Sequence, residues 1–403
     1  MSTMPTDHYA DLLGQVTGFI YPNELEVNWS VMIVIYPYLT GLVAGAFILA
    51  SLMKVFKVKE IQPTYRLALL TALAFLIVAP MPLLLHLSQP LRFYEILVTP
   101  NTSSAMAMFG FVYAWYLMAV LLIEIWFEWR LDLIRLGQTA AFPLNWLYKA
   151  LSLFSKDTSP AAVAFDRKAI QAITIIGIPS AFLLHGYVGF IFGSVKANPW
   201  WNSVLMPLAF LMSAIVSGIA LVVLVYMVLQ GLRRQPIDMP CLDKIASYLF
   251  YAVIVDFALE ALDFIHRLYA AEEEARILGH LITQKLFLSL IVLQILLGMI
   301  VPLALLAVTK ARQFNDDLRK LLYFLSAILI LLGIFAMRWN VVIGGQLFSK
   351  SFRGLMTYKM EIFGLEGFVT ALGLLVLPFL ILAVLIRLLP TKSTAEPEIA
   401  AAA

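Results

Sequence analysis

Apolar residues run through this chain in long blocks, and short polar stretches separate them. Nine blocks lie at about 30–53, 65–89, 104–129, 168–195, 200–230, 244–270, 279–309, 319–338 and 364–389. Each has roughly the ~20 residues that a helix needs to cross the hydrocarbon core of a bilayer. The pattern predicts an all-α polytopic membrane protein with about nine transmembrane helices. A further apolar run, Leu12–Tyr21, is too short to span and is expected on the surface. The sixth block breaks its own pattern with Asp256, Glu260, Asp263 and Arg267. At 100° per residue these four fall within about 60° of one another and climb about 16 Å of one helix face. Ionisable groups at membrane depth are costly and face a bundle interior, each other or water. Two readings follow. One is a structural ladder with Asp263 and Arg267 paired at i,i+4; the other is a proton or ion path.

Composition adds little to the fold but limits the chemistry. Hydrophobic residues make up 62% of the 403 positions and charged residues 13%, far from a soluble globular balance. A single cysteine, Cys241, excludes an iron–sulfur cluster, a structural zinc or a covalent haem held by this chain alone. Any redox chemistry must use a diffusible carrier or a partner. His86 and His185 could in principle ligate a haem, but two histidines on unrelated turns are more often hydrogen-bonded polar residues, so no haem and no metal site are expected. Met1–Tyr9 lacks the basic start and apolar core of a cleavable signal peptide.

Charge becomes informative once it is split by side. Lys54, Lys57, Arg66, Arg130, Arg135, Lys149, Arg233, Lys244, Lys310, Arg319, Arg387 and Lys392 all fall in one set of loops. The positive-inside rule makes that set cytoplasmic. The segment 1–28 is then outside, the tail 390–403 is inside, and no nucleic-acid partner is expected.

Polar positions inside the blocks mark candidate chemistry. In the first block Gly41 and Gly45 form a small-xxx-small pattern that admits a neighbouring helix. Tyr36 and Thr40 share a face beside Pro37, which frees a carbonyl one turn earlier; they line a pocket, or Tyr36 belongs to an interfacial belt. Pro80 and Pro82 loosen the backbone before His86, and Asn101–Ser104 read as a helix cap. Glu124 lies one turn deeper than Glu128, which sits between Trp126 and Trp129. The 130–167 connection is the longest on its side, and Trp129–Leu136 is expected to form a short amphipathic surface helix. On an ideal helix His185 and Tyr187 point about 160° apart, so both line one pocket only if Pro179 or Gly186 distorts it. The outer stretch Arg338–Tyr358 is long enough to close over a site or dock a partner.

Several of these segments carry a family likeness. QPLRF at 89–93 with PNTSSAM at 100–106, HGYVG at 185–189 with Pro199–Trp200, RWNVVIGGQ at 338–346 and GLEG at 364–367 make the chain resemble the NrfD/PsrC (polysulfide reductase) membrane subunits over most of its length. The last two segments resemble the longer branch of that family, the DsrP type of the sulfur-metabolism complex DsrMKJOP. The resemblance implies two four-helix bundles, at 29–198 and 199–340, with an outer loop and ninth helix at 341–389. It implies a quinone site near the outer face of the first bundle, with menaquinone or ubiquinone as substrate and no cofactor of its own. It also implies a periplasmic ferredoxin-like iron–sulfur partner, further subunits of a membrane redox complex, and a bacterial inner membrane. One departure is Tyr36, where related proteins can carry a histidine.

The expected head-group partners are His86 and either His185 or Tyr187, with Tyr36 and Thr40 alongside. The proton pathway is assigned to Asp256, Glu260 and Asp263, with Glu124 as a second candidate. Partner docking is assigned to Arg92, Arg338, Lys350 and Arg353. The alternative function is an ion-coupled secondary transporter that uses the acidic stripe, and the plainest is a membrane anchor.

Overall fold

The computed structural model describes residues 26–87, 89–104, 108, 113, 115–270, 274–347 and 354–392. Almost all of them are helical. Helix α1 is Met32–Lys54, α2 Gln62–Val78 and α3 Met81–His86. A π-wound segment, Tyr116–Leu121, leads into α4, Leu122–Thr139, and α5 is Leu144–Leu151. Helices α6, Pro160–Gly193, α7, Met206–Leu232, and α8, Met239–Ala270, follow. Helix α9, Glu274–Leu281, passes through a long π-wound stretch, Ile282–Ile300, into α10, Val301–Ala311. Helices α11, Asp316–Val342, and α12, Phe368–Leu388, end the fold.

Among the described residues eight helices are long and apolar enough to cross a membrane, so the protein is an integral, multi-pass membrane protein. They match every expected block except the third. The N-terminal part of that block, 104–129, falls partly outside the described residues, and its C-terminal part is the π-wound segment and the start of α4.

Local sequence sets the helix starts. Ser159 precedes Pro160, and its hydroxyl accepts from the Ala162 amide at 3.2 Å, a Ser cap followed by proline at the first position. Asn315 caps α11 by accepting from the Leu318 amide at 3.1 Å, with Asp316 and Asp317 in the first turn, where the helix dipole favours anions.

Glycine decides which helices meet at the centre. A methyl built on Gly45 of α1 would lie 2.0 Å from the Ala214 carbonyl oxygen, and one on Gly218 of α7 would lie 2.4 Å from the Gly45 backbone. Backbones therefore touch where α1 crosses α7, as the small-xxx-small pattern allows. The same device joins Gly298 and Gly333, where an added Cβ would sit 2.3 Å from the partner's Cα. Helix α12 packs on the outside of α2, with Phe75 and Phe379 edge to face at 5.3 Å.

Two expectations are corrected. Trp129–Leu136 is no separate surface helix: it continues α4, with Trp129, Arg130, Asp132 and Leu133 buried. The surface helix is α5, whose Trp146 is 62% exposed while Tyr148 on its other face is buried. Arg338 is not on an outer docking loop. Helix α11 runs past it to Val342, and its side chain is completely buried.

Candidate functional site

The buried guanidinium of Arg338 is the centre of a polar network in an apolar interior. Its Nη2 donates to Ser213 Oγ at 2.7 Å and bonds His185 Nε2 at 2.9 Å, with a longer contact to the Phe210 carbonyl at 3.4 Å. The cation also lies 4.1 Å from the Phe210 ring centroid, and His185 stacks on the same ring at 5.7 Å. His185 Nδ1 faces Thr40 Oγ1 at 3.5 Å. The Thr40 hydroxyl donates back to Tyr36 O at 3.1 Å, on the turn that Pro37 loosens. Room for the imidazole comes from Gly41, where a methyl would lie 3.1 Å from His185 Cε1. The two glycines of the first block thus do different things: Gly41 admits a ring and Gly45 admits a helix.

The acidic stripe of α8 lies within electrostatic reach of Arg338. Asp263 pairs with Arg267 at 2.5 Å and also accepts from Ser203 Oγ. Glu260 Oε2 accepts from Gln294 Nε2 at 2.7 Å, Gln294 Oε1 from Asn340 Nδ2 at 2.7 Å, and Asn340 Oδ1 from Ser289 Oγ at 2.6 Å. Asp256 is buried, and the charge on Arg338 acts on both Asp256 and Glu260. Asp256 Oδ1 and Glu260 Oε1 have no hydrogen-bond partner among the described residues. Glu260, Asp263, Gln294 and Asn340 line a cavity of about 70 Å³, room for several water molecules at roughly 10–15 Å³ each. The parts of the stripe differ in their surroundings. Asp263 and Arg267 form the ion pair, while buried Asp256 and half-buried Glu260 each keep an oxygen without a hydrogen-bond partner among the described residues.

A second group of candidates gathers where α2 breaks. Pro80 has no N–H for the Leu76 carbonyl, and the Tyr113 hydroxyl donates to that carbonyl instead. Tyr36 is buried within electrostatic range of Tyr113. His86 Nδ1, at the end of α3, meets Glu366 Oε2 at 2.5 Å and Ser30 Oγ at 3.3 Å. Burial raises the Glu366 carboxyl, but the hydrogen bonds from Ser30 and His86 and the His86 charge hold it below its ordinary value.

The sequence candidates therefore divide. Thr40 and His185 join the Arg338 network, while His86 belongs to a different one at the C-terminal end of α3. Tyr187 is half-buried and stacks on the exposed Phe190 at 5.8 Å, so α6 keeps the two directions expected of an ideal helix. Glu124 is fully buried and accepts from the Tyr65 hydroxyl at 3.3 Å. Its neighbour Glu128 instead pairs with Lys54 and Arg66, both at 2.9 Å. Arg92 is exposed and paired with Glu95 at 2.8 Å, whereas Lys350 and Arg353 lie outside the described residues. Ser213, Gln294, Asn340 and Glu366 were not anticipated. Gln294 carried a signal, as the lone amide of an otherwise apolar stretch from Leu290 to Val308.

Fold and site together define a multi-pass, all-α membrane protein built around buried, hydrogen-bonded ionisable groups. The family model for polysulphide reductase, NrfD, matches residues 22–350, and the chain belongs to that family. It is 30% identical over 324 residues to a selenate reductase subunit of Mesobacillus selenatarsenatis, covering 78% of this chain and 73% of that one. It is 24% identical to a polysulfide reductase chain of Wolinella succinogenes, over 80% and 95% of the two proteins. A third relative is the Hdr-like menaquinol oxidoreductase integral membrane subunit of Archaeoglobus fulgidus, 23% identical over 92% and 87%.

Proposed function

We propose that this chain is the quinone-reactive membrane subunit of an oxidoreductase complex. It exchanges electrons between membrane menaquinone or ubiquinone and a ferredoxin-like iron–sulfur subunit on the periplasmic side of a bacterial inner membrane. The names of its relatives support a place in such complexes: a selenate reductase subunit, a polysulfide reductase chain and a menaquinol oxidoreductase subunit. The alignment with the Archaeoglobus protein over 389 residues reaches into the C-terminal part and supports the longer, DsrP-type branch.

The observation that carries the proposal is the buried line of proton-competent groups. A quinone takes up or releases two protons with its two electrons, so its site needs groups that give and accept them in a dry interior. Tyr36, Tyr113 and His86 flank the loosened end of α2, where a head group finds donors and a long tail finds apolar walls. Thr40 and His185 lie behind Tyr36 and connect through Arg338 to the carboxyl groups of α8. Asp256 and Glu260, with water between them, carry protons along that line; Asp263 is held by Arg267 at its outer end. Glu124 serves the opposite half of the first bundle. A transporter reading would place the carboxyl groups at an unwound helix, but α8 is continuous through all three.

Reconstitution of the whole complex in proteoliposomes tests this. Quinol turnover should fall in His86→Ala and Tyr36→Phe. Asp256→Asn and Glu260→Gln should keep turnover but lose the membrane potential read by a dye. Full potential in both carboxyl variants at normal turnover would leave the stripe a structural ladder. Unchanged turnover and inhibitor affinity in His86→Ala and Tyr36→Phe would put the quinone elsewhere.

A further inference from the structure

Residues 354–367 lead into α12 and carry GLEG at 364–367, a motif that the site so far leaves without a role. It lies beyond residue 350, where the match to the family model ends. Its sequence explains its shape. Gly364 has φ +122°, a backbone conformation that side chains rarely adopt. Gly367 directly precedes α12, and a methyl there would lie 2.9 Å from the Ile362 carbonyl oxygen. The chain doubles back at this point. The Phe368 amide donates to the Glu361 carbonyl at 2.8 Å, and the Val369 amide to that of Ile362 at 3.1 Å. The Thr370 hydroxyl closes the turn on the Gly364 carbonyl at 2.6 Å. Glu366 sits between the two glycines that make the turn possible.

The segment is held at both ends. The Val27 amide donates to the Thr357 carbonyl at 2.9 Å, and Lys359 pairs with Glu26, so its start lies along the residues that precede α1. Its far end is fixed by α12, which packs on α2 through Phe379 and Phe75. Between these anchors Glu366 Oε2 comes to 2.5 Å from His86 Nδ1, with Ser30 Oγ 3.3 Å from the same nitrogen. Burial works against the charge on Glu366, but the hydrogen bonds from Ser30 and His86 and the His86 charge keep its carboxyl below the ordinary value. At neutral pH it therefore accepts, and the shared proton belongs to Nδ1. A neutral imidazole has one N–H and one lone pair. The lone pair is then on Nε2, which has no hydrogen-bond partner among the described residues. The two side chains are 26% and 36% exposed, so a ligand can reach the pair.

We propose that Glu366 is a positioning residue for His86: it fixes the imidazole as the Nδ1–H tautomer and presents Nε2 to the quinone head group. This role rests on the quinone reading above and adds to it the group that prepares His86 for proton transfer. For each O–H bond that breaks on this side of a quinol, the proton forms an N–H bond at Nε2 and one electron leaves for the iron–sulfur subunit. Quinone reduction returns the proton from the same nitrogen. Nδ1–H stays on the carboxylate throughout, so a positive charge formed on the ring faces a fixed negative one. A carboxylate on the second nitrogen sets tautomer and ring orientation where an imidazole must act at one nitrogen only. The segment before α12 thus completes a site begun by α1, α2 and α3.

The test reads both the ring and the turnover. The full chain in micelles, labelled with nitrogen-15 at its five histidines, reports the tautomer by NMR, and His86→Ala assigns the signal. Wild type should show the Nδ1–H form. In Glu366→Gln, whose amide can donate to Nδ1, the proton should move to Nε2. Glu361→Gln, exposed in the same segment, should leave the tautomer as it is. Quinol turnover by the whole complex should fall about a hundredfold in kcat in Glu366→Gln with KM retained, the lower end of what a placed acid–base group contributes. An unchanged tautomer in both Glu366→Gln and Glu366→Ala overturns the proposal whatever happens to turnover. Loss of turnover in His86→Ala with none in Glu366→Gln overturns it as well, and leaves the quinone reading standing. Full turnover and inhibitor affinity in His86→Ala would sink the quinone reading at this end, and the proposal with it.

Discussion

Replacing Arg338 with methionine removes the central cation while keeping most of the side chain's volume. Two charge-assisted hydrogen bonds disappear, to Ser213 at 2.7 Å and His185 at 2.9 Å, each worth about 1.5–3 kcal/mol. The stacking on Phe210 at 4.1 Å adds about 2 kcal/mol when desolvated. Against these stands the cost of burying the guanidinium, several kcal/mol, which methionine avoids. The balance is a loss of about 1–3 kcal/mol for each buried partner left unsatisfied, here His185 and Ser213. Arg338 makes no ion pair with Asp256 or Glu260 among the described residues, and its charge acts on them at longer range. The cost of Arg338→Met should therefore shrink by about 1–3 kcal/mol in an Asp256→Asn background, a coupling of the size seen between groups of one network. Equilibrium unfolding in mixed micelles, followed by tryptophan fluorescence, reads all four corners of the cycle. Neutral polar pairs between membrane helices are worth only about 0.6 kcal/mol on average. A loss of that size, or one that Asp256→Asn does not change, would refute a charged network joining His185 to the acidic stripe.

Helix crossing offers a sharper contrast. Gly218→Ala should destabilise by about 1–3 kcal/mol or more, since its methyl would lie 2.4 Å from the Gly45 backbone. Gly231→Ala on the same helix has open space around it and should be neutral or stabilise by up to about 1 kcal/mol; equal effects in thermal unfolding would count against the crossing. The Glu366 carboxyl is held below its ordinary value in the folded state. Its contribution is then present above the unfolded carboxyl value and lost as pH falls through the folded one. Protection of the Val369–Ala371 amides, the first turn of α12, measured relative to their intrinsic exchange rates, should fall on acidification, and Glu366→Gln should remove that dependence. Charge reversal at Lys350 or Arg353 should weaken co-purification of the proposed iron–sulfur subunit if complementary charge sets that dock; unchanged yields would place the dock elsewhere.

What the sequence determined by itself was local in origin. Block length fixed the spanning helices, because hydrocarbon thickness divided by rise per residue is a property of each segment alone. Helical period placed Asp256, Glu260, Asp263 and Arg267 on one face and predicted the Asp263–Arg267 pair, since i,i+4 neighbours meet wherever the helix lies. The same period kept His185 and Tyr187 apart. Partners distant in sequence were decided only by packing. Arg338 reads as the first residue of an outer loop when the apolar block is ended at it. Yet α11 continues for another turn and carries it against His185, 153 positions away. That meeting depends on α1 and α7 closing at Gly45 and Gly218, and on Gly41 leaving space for the imidazole. Glu260 finds Gln294, and His86 finds Glu366, for the same reason. Periodicity gives each helix its polar face but not the face that will oppose it. A buried polar group takes whichever partner the crossing of backbones brings within hydrogen-bond reach.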